Sequence, residues 1–127
     1  MNTPSELFYT KEHEWVKLDG DTATIGITDY AQSSLGDIVF VELPESGMNL
    51  SQEQTFGVVE SIKSVSDLFS PITGEVIEIN NDLNDAPEKL NEDPYKNWIV
   101  KLKVSPELNR EHLLNAETYN DYCLNNN

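Results

Sequence analysis

Lys63 stands apart in this chain. It is the only lysine in the 71 residues 18–88, set in Val59-Glu60-Ser61-Ile62-Lys63-Ser64-Val65-Ser66-Asp67 between two β-patterned runs. A tight turn between two short strands would hold its amine in solvent, clear of a sheet. The flanking acids Glu60 and Asp67 favour the ammonium form, so nothing nearby prepares this amine for Schiff-base catalysis. An exposed amine at a defined position is what a modifying enzyme needs to attach a group as an amide. Taken alone, a lysine on a turn is far more often just a solvated surface charge, and the local residues leave both readings open.

Other chemistry lacks its parts. The histidines are His13 and His112, neither in a recognisable motif with a nucleophile, and there is no Gly-rich phosphate loop or H-x-x-x-H pair. The single cysteine, Cys123, cannot form an internal disulfide or build a metal site alone. It reads as a half-buried packing residue, and His112 as part of the polar face of the last helices. Carboxylates are so numerous that nearness in sequence does not mark a glycosidase-like pair.

The elements around Lys63 are mostly strands. Residues 7–9, 13–17 and 22–27 are rich in aromatic and β-branched types, with Asp19-Gly20-Asp21 as a hairpin turn. Thr28 can cap a two-turn helix over 29–35 that stops at Gly36. Strands resume over 37–43, and 45–51 is turn material. Residues 56–69 read as two strands meeting near Lys63, 75–79 as another, and 97–104 as the last. Between these two, 80–94 is a polar loop with room for one helical turn. Ser105-Pro106-Glu107 predicts the start of a C-terminal helix, and Ala116, Tyr119, Tyr122 and Cys123 mark a second before a frayed 125–127. A short echo links residues 36–41 to 74–79 at an offset of 38, which would also align Lys63 with Lys101, each ending a strand-like run. Two related half-sheets or chance would both produce it.

The chain of 127 residues reads as one domain, with a core over 7–104 and a helical segment over 105–124. Eight Lys and Arg against 23 Asp and Glu leave a net charge of −15. That surface repels phosphate backbones and anionic lipid, so neither nucleic acid nor membrane is an expected partner. Partners should present positive faces. The apolar runs are too short to span a bilayer, and the start of the chain lacks a basic segment followed by an apolar run. The expectation is a soluble monomer of the bacterial cytoplasm, with the mitochondrial matrix as the lesser alternative.

Several stretches in one order resemble the glycine cleavage system H protein family. They are Tyr9-Thr10-Lys11-Glu12-His13-Glu14-Trp15-Val16, Gly26-Ile27-Thr28-Asp29-Tyr30-Ala31-Gln32, Leu35-Gly36-Asp37 through Leu43-Pro44, Phe56 through Ser64, Ser70 through Asn80, and Pro94-Tyr95. The similarity weakens after about Val104. The resemblance implies a mainly β fold, a barrel-sandwich hybrid of two antiparallel sheets flanked by the first strands, the short helix near 28–35 and C-terminal helices. It implies a non-catalytic carrier with lipoate on Lys63. Glycine decarboxylase, a pyridoxal phosphate enzyme, would load the aminomethyl group of glycine onto the arm. Aminomethyltransferase would pass the one-carbon unit to tetrahydrofolate, and dihydrolipoamide dehydrogenase would reoxidise the dithiol. A lipoate ligase or a lipoyl or octanoyl transferase would modify Lys63, reading Glu60 and Asp67. The loaded arm would fold back into a cleft where Glu14 and Asp67, helped by Glu12, hold its cationic amine. Ser34 is given no role, and Cys123 is not needed.

Other carriers fit less well. Biotin acceptor lysines typically lie between methionines, whereas Ile62 and Ser64 flank this one. The lipoyl domain of a 2-oxo acid dehydrogenase acyltransferase lacks the His13-Glu14-Trp15 entry and the terminal helices. An acidic docking module or lipoate-relay paralogue with a bare Lys63 is the alternative of a different class.

Overall fold

The computed structural model describes residues 1–125. Strands β1 (Phe8–Tyr9), β2 (Glu14–Asp19) and β3 (Thr22–Ile27) open the chain, followed by helix α1 (Asp29–Leu35). Next come β4 (Ile38–Glu42), β5 (Asn49–Leu50), β6 (Thr55–Ser61), β7 (Val65–Phe69) and β8 (Gly74–Ile79). Two single-turn helices, α2 (Asp82–Asp85) and α3 (Lys89–Glu92), precede β9 (Val100–Lys103) and the terminal α4 (Ala116–Asn125).

The strands form two antiparallel sheets, one of six strands in the order β1-β2-β3-β9-β8-β5 and one of three in the order β4-β6-β7. Period-two patterning points one face of each sheet inward. Ala23, Ile25 and Ile27 of β3 and Val100 and Leu102 of β9 meet Val41 of β4, Val59 of β6 and Leu68 of β7 in one apolar cluster. The loop helices α2 and α3 each send one leucine, Leu83 and Leu90, into it. A second, aromatic cluster lies where α4 meets the first strands. Tyr119 stacks on Tyr9 with ring centroids 4.7 Å apart, beside Trp15 and Cys123.

The β2–β3 hairpin and α1 form as their residues predict. Gly20 takes the left-handed turn position at φ 61°, and the Thr28 side chain accepts the Ala31 N–H at 3.2 Å. Trp15 lies directly across from Gly26, where an added Cβ would come within 2.7 Å of the indole, and its Nε1–H donates to Pro94 O at 3.1 Å. Three stretches that are distant in sequence thus meet around one ring.

Four expectations change. Residues 105–114 are not helical. Ser105 accepts the Glu107 N–H in one local turn, Leu113 donates to Arg110 O in a second, and Tyr9 and Leu114 then exchange both backbone hydrogen bonds at 2.8 Å. The exposed edge of β1 thus takes Leu114 as its partner, leaving one C-terminal helix. Asn49–Leu50 is a short strand rather than turn, and the polar loop holds two helical turns rather than one. Lys101 does not end a strand; it pairs with Glu78 inside β9, its Nζ 4.7 Å from the Trp98 ring centroid. Asn125 closes α4, while the expected fraying of 126 and 127 lies outside the described residues.

Candidate functional site

The connection from β6 to β7 is Ile62-Lys63-Ser64, closing on the antiparallel pair Glu60 and Val65. Ser61 braces it. Its Oγ accepts the N–H of Lys63 at 3.2 Å and of Ser64 at 3.1 Å, and its own N–H donates to Ser64 O at 2.8 Å. Two local bonds to one hydroxyl hold a turn that the sheet ladder does not reach. The Ile62 N–H donates to Asp37 O at 3.2 Å, tying the turn to the chain leaving α1.

That neighbouring chain is itself clamped. Asn91 of α3 donates from Nδ2 to Gly36 O at 2.8 Å and to Gln32 Oε1 at 3.0 Å, and its Oδ1 accepts the Ile38 N–H at 2.9 Å. Gly36 has φ 78° and ψ −151°, a conformation open to glycine and little else. A Cβ there would stand 3.3 Å from Lys63 Cε and 3.7 Å from Nζ, so the lysine stem crosses the bare face of this glycine. Lys63 is exposed and has no ion-pair partner among the described residues.

A cleft of about 470 Å³ lies at the other end of β7, lined by Thr10, Glu12, Glu14, Phe69, Ser70 and His112 among others. Glu14 is 2 % exposed. Its Oε1 accepts the Thr10 hydroxyl at 2.7 Å and its Oε2 the Phe69 N–H at 3.4 Å. Loss of hydration pushes its carboxyl up to about 7; the two donors oppose the rise and the nearby Glu12 adds to it. The 10–13 turn that presents both acids is fixed by His13 at φ 70°, whose N–H donates to Thr10 O at 3.1 Å. His13 Nδ1 meets the Tyr119 hydroxyl at 2.7 Å, and that hydroxyl meets Thr28 Oγ1 at 2.8 Å. Burial lowers the His13 pKa, favouring the neutral ring that this network accommodates.

Glu12 and Glu14 therefore share one cleft. Glu60 is half-buried on β6 beside the turn, whereas Asp67 is exposed on β7 opposite Val58 and does not line the cleft. It lies between Lys63 and Phe69 on a strand whose five residues span about 14 Å. His112 sits in a turn at the cleft wall, its Nε2 2.5 Å from Pro71 O, rather than on a helix. Thr10, Ser70 and Asn91 carry no motif of their own. Thr10 bonds the nearby Glu14 and Ser70 Oγ donates to Ile72 O, whereas only the pairing of distant segments shows what Asn91 does.

The whole arrangement is an exposed amine on a braced turn, one strand away from an acidic cleft with a buried carboxylate. Residues 7–126 match the family model described as Glycine cleavage H-protein. The chain is 55% identical over 122 residues to the glycine cleavage system H protein of Staphylococcus carnosus, covering 95% of this chain and 97% of that one. It superposes on the crystal structure of a glycine cleavage system H protein from Mycobacterium marinum with a TM-score of 0.84 at 38% identity, covering 97% and 98% of the two chains. With a match that runs from the first strand into α4, the chain belongs to the glycine cleavage H-protein family.

Proposed function

We propose that this chain is a lipoyl carrier of glycine cleavage, a non-catalytic single domain with lipoate joined by an amide to Lys63. The observation that carries this reading is the braced turn, which holds an accessible primary amine over Gly36 while the chain leaving α1 and Asn91 of α3 fix the backbone beneath it. Those features fit a tethered group: Nζ has open solvent ahead of it, and amidation removes its charge. When bound, lipoate supplies a disulfide that opens and recloses and so a place to hold the aminomethyl fragment of glycine.

The chain's own residues then serve the arm. Ser61 and the Asp37 carbonyl fix its root. Glu14, with Glu12 beside it, supplies negative charge in the cleft to hold a cationic amine and keep water from it. Asp67, on the strand between root and cleft, flanks the approach. Glu60 and Asp67 are also features a lipoate ligase or a lipoyl or octanoyl transferase would read. The partners are glycine decarboxylase, aminomethyltransferase and dihydrolipoamide dehydrogenase, met in turn by a monomer in the bacterial cytoplasm.

Intact mass after co-expression with a lipoate ligase tests the attachment. The parent should gain one lipoyl increment and the Lys63→Arg variant none. A biotin increment, an increment retained in Lys63→Arg, or no increment in the parent would overturn it.

A further inference from the structure

The outer face of the three-stranded sheet carries an apolar patch that the carrier reading leaves unused. Register places Phe40, Glu60 and Val65 in one cross-strand row and Glu42, Val58 and Asp67 in the next, on the same face. A β-bulge between Ile38 and Phe40 leaves Val39 without a partner, and these two consecutive residues are both turned outward. Val39 is 53 % exposed, Phe40 49 %, Val65 65 % and Ile62 72 %. They account for half of the eight exposed large hydrophobic side chains of the described residues, and all four border the Lys63 turn. Bulges of this kind recur beside functional positions because they re-aim side chains. Exposed apolar side chains grouped about one carboxylate, Glu60, and bordered by others mark a docking surface.

We infer that the face formed by Phe40, Val39, Val65 and Ile62, with Glu60 between Phe40 and Val65 and with Glu42 and Asp67 at its edge, docks the enzyme that acylates Lys63. This rests on the carrier reading above. The choice of occupant follows from where each enzyme must work. Nζ lies within 3.7 Å of a Cβ position on Gly36, close against the body of the domain. An enzyme whose reaction centre is that nitrogen must cover the hairpin and the strands flanking it, whereas enzymes acting on the far end of an arm can stand off. The acidic edge calls for a basic margin on the partner around an apolar pocket, with Phe40 as the aromatic anchor. In the reaction Nζ forms an amide with the carbonyl of a lipoyl adenylate, made beforehand from lipoate and ATP with release of pyrophosphate; AMP leaves, and the two protons lost by the ammonium go to solvent.

The test is steady-state acylation of apo protein by a lipoate ligase supplied with lipoate and ATP, followed by intact mass, for the parent, Phe40→Ser and Val65→Ser. Binding of the ligase to each variant in the Lys63→Arg background, by calorimetry, is the second readout. Both surface variants should melt at the parent's temperature and keep the acylation kcat. Their KM, and the Kd for the ligase, should rise at least tenfold. Once driven to full modification, they should support glycine cleavage within twofold of the parent. Unchanged KM and Kd would overturn the inference. So would normal acylation accompanied by failure of the modified variants in glycine cleavage, which would give the face to another enzyme, or a loss of self-association in the variants, which would give it to a second copy. If the parent itself is not acylated at Lys63, the carrier reading fails first, and the two failures are distinct.

Discussion

Glu14 is the residue whose physics departs most from its surroundings. An ordinary glutamate ionises near 4.5, and this one near 7 because it has lost its water. Between those pH values the folded chain holds the proton and the unfolded chain does not, so the free energy of unfolding falls as pH rises. The penalty is complete above pH 7, at about 3 kcal/mol. Glu14→Gln should therefore gain stability relative to the parent between pH 5 and pH 8, read as a growing difference in urea midpoint. A difference that does not change with pH would contradict the assignment. A buried carboxylate kept at such a cost is expected to have a task. Loaded with an aminomethyl arm, Glu14→Gln should release its cargo to hydrolysis roughly tenfold faster at pH 8, the loss of one charge-assisted bond. The parent's protection should weaken below pH 7 as the carboxyl takes up its proton. Glu12, Glu14 and Lys63 were legible in the sequence because they sit in recognisable stretches. Thr10 and Ser70 lie in the same stretches, but their roles were not legible, because residue type alone does not say which nearby acceptor, Glu14 or the Ile72 carbonyl, a hydroxyl will bond.

At the scale of elements, the site depends on how the chain leaving α1 is fastened to the β6–β7 turn and to α3. Asn91 uses all its polar hydrogens and its oxygen on the Gly36 region, and that region holds Ile62. Asn91→Ala leaves a carbonyl and an amide without their partner and should cost about 1–3 kcal/mol. Amide exchange at Ile62 and Lys63 should speed up more than exchange at Val59. Equal acceleration across the sheet would mean that Asn91 supports the fold without specially holding the turn. Ser61→Ala should loosen the turn with less effect, about 1 kcal/mol, since backbone bonds remain. Strands and the α1 cap were readable because alternation and capping are local signals. The stretch 105–114 was misread because its serine, proline and acid are also what a lone turn uses, and the edge of β1 decides between them. At the offset of 38, β4 and β8, which lie in different sheets, share one irregularity: the register shifts between Ile38 and Phe40 and between Val76 and Glu78. The echo's extension to Lys63 and Lys101 fails, since one is in a turn and the other inside a strand.

At the scale of the whole molecule, a net charge of −15 surrounds one tethering point. A carrier that must meet several enzymes gains from fast encounter and fast release, which complementary fields supply without tight contact. Loading by glycine decarboxylase should slow about tenfold as salt is raised from low to physiological strength and beyond, mostly through association. A rate indifferent to salt would contradict steering. The central claim, that Lys63 is the root of the arm that carries the fragment, is tested most directly by isotope. Lipoylated protein is incubated with glycine decarboxylase, pyridoxal phosphate and glycine labelled at the α-carbon and nitrogen, and its peptides are then weighed. The account predicts both labels on the Lys63 peptide and on no other. Glycine consumed with that peptide unlabelled, or label at a different residue, would contradict it.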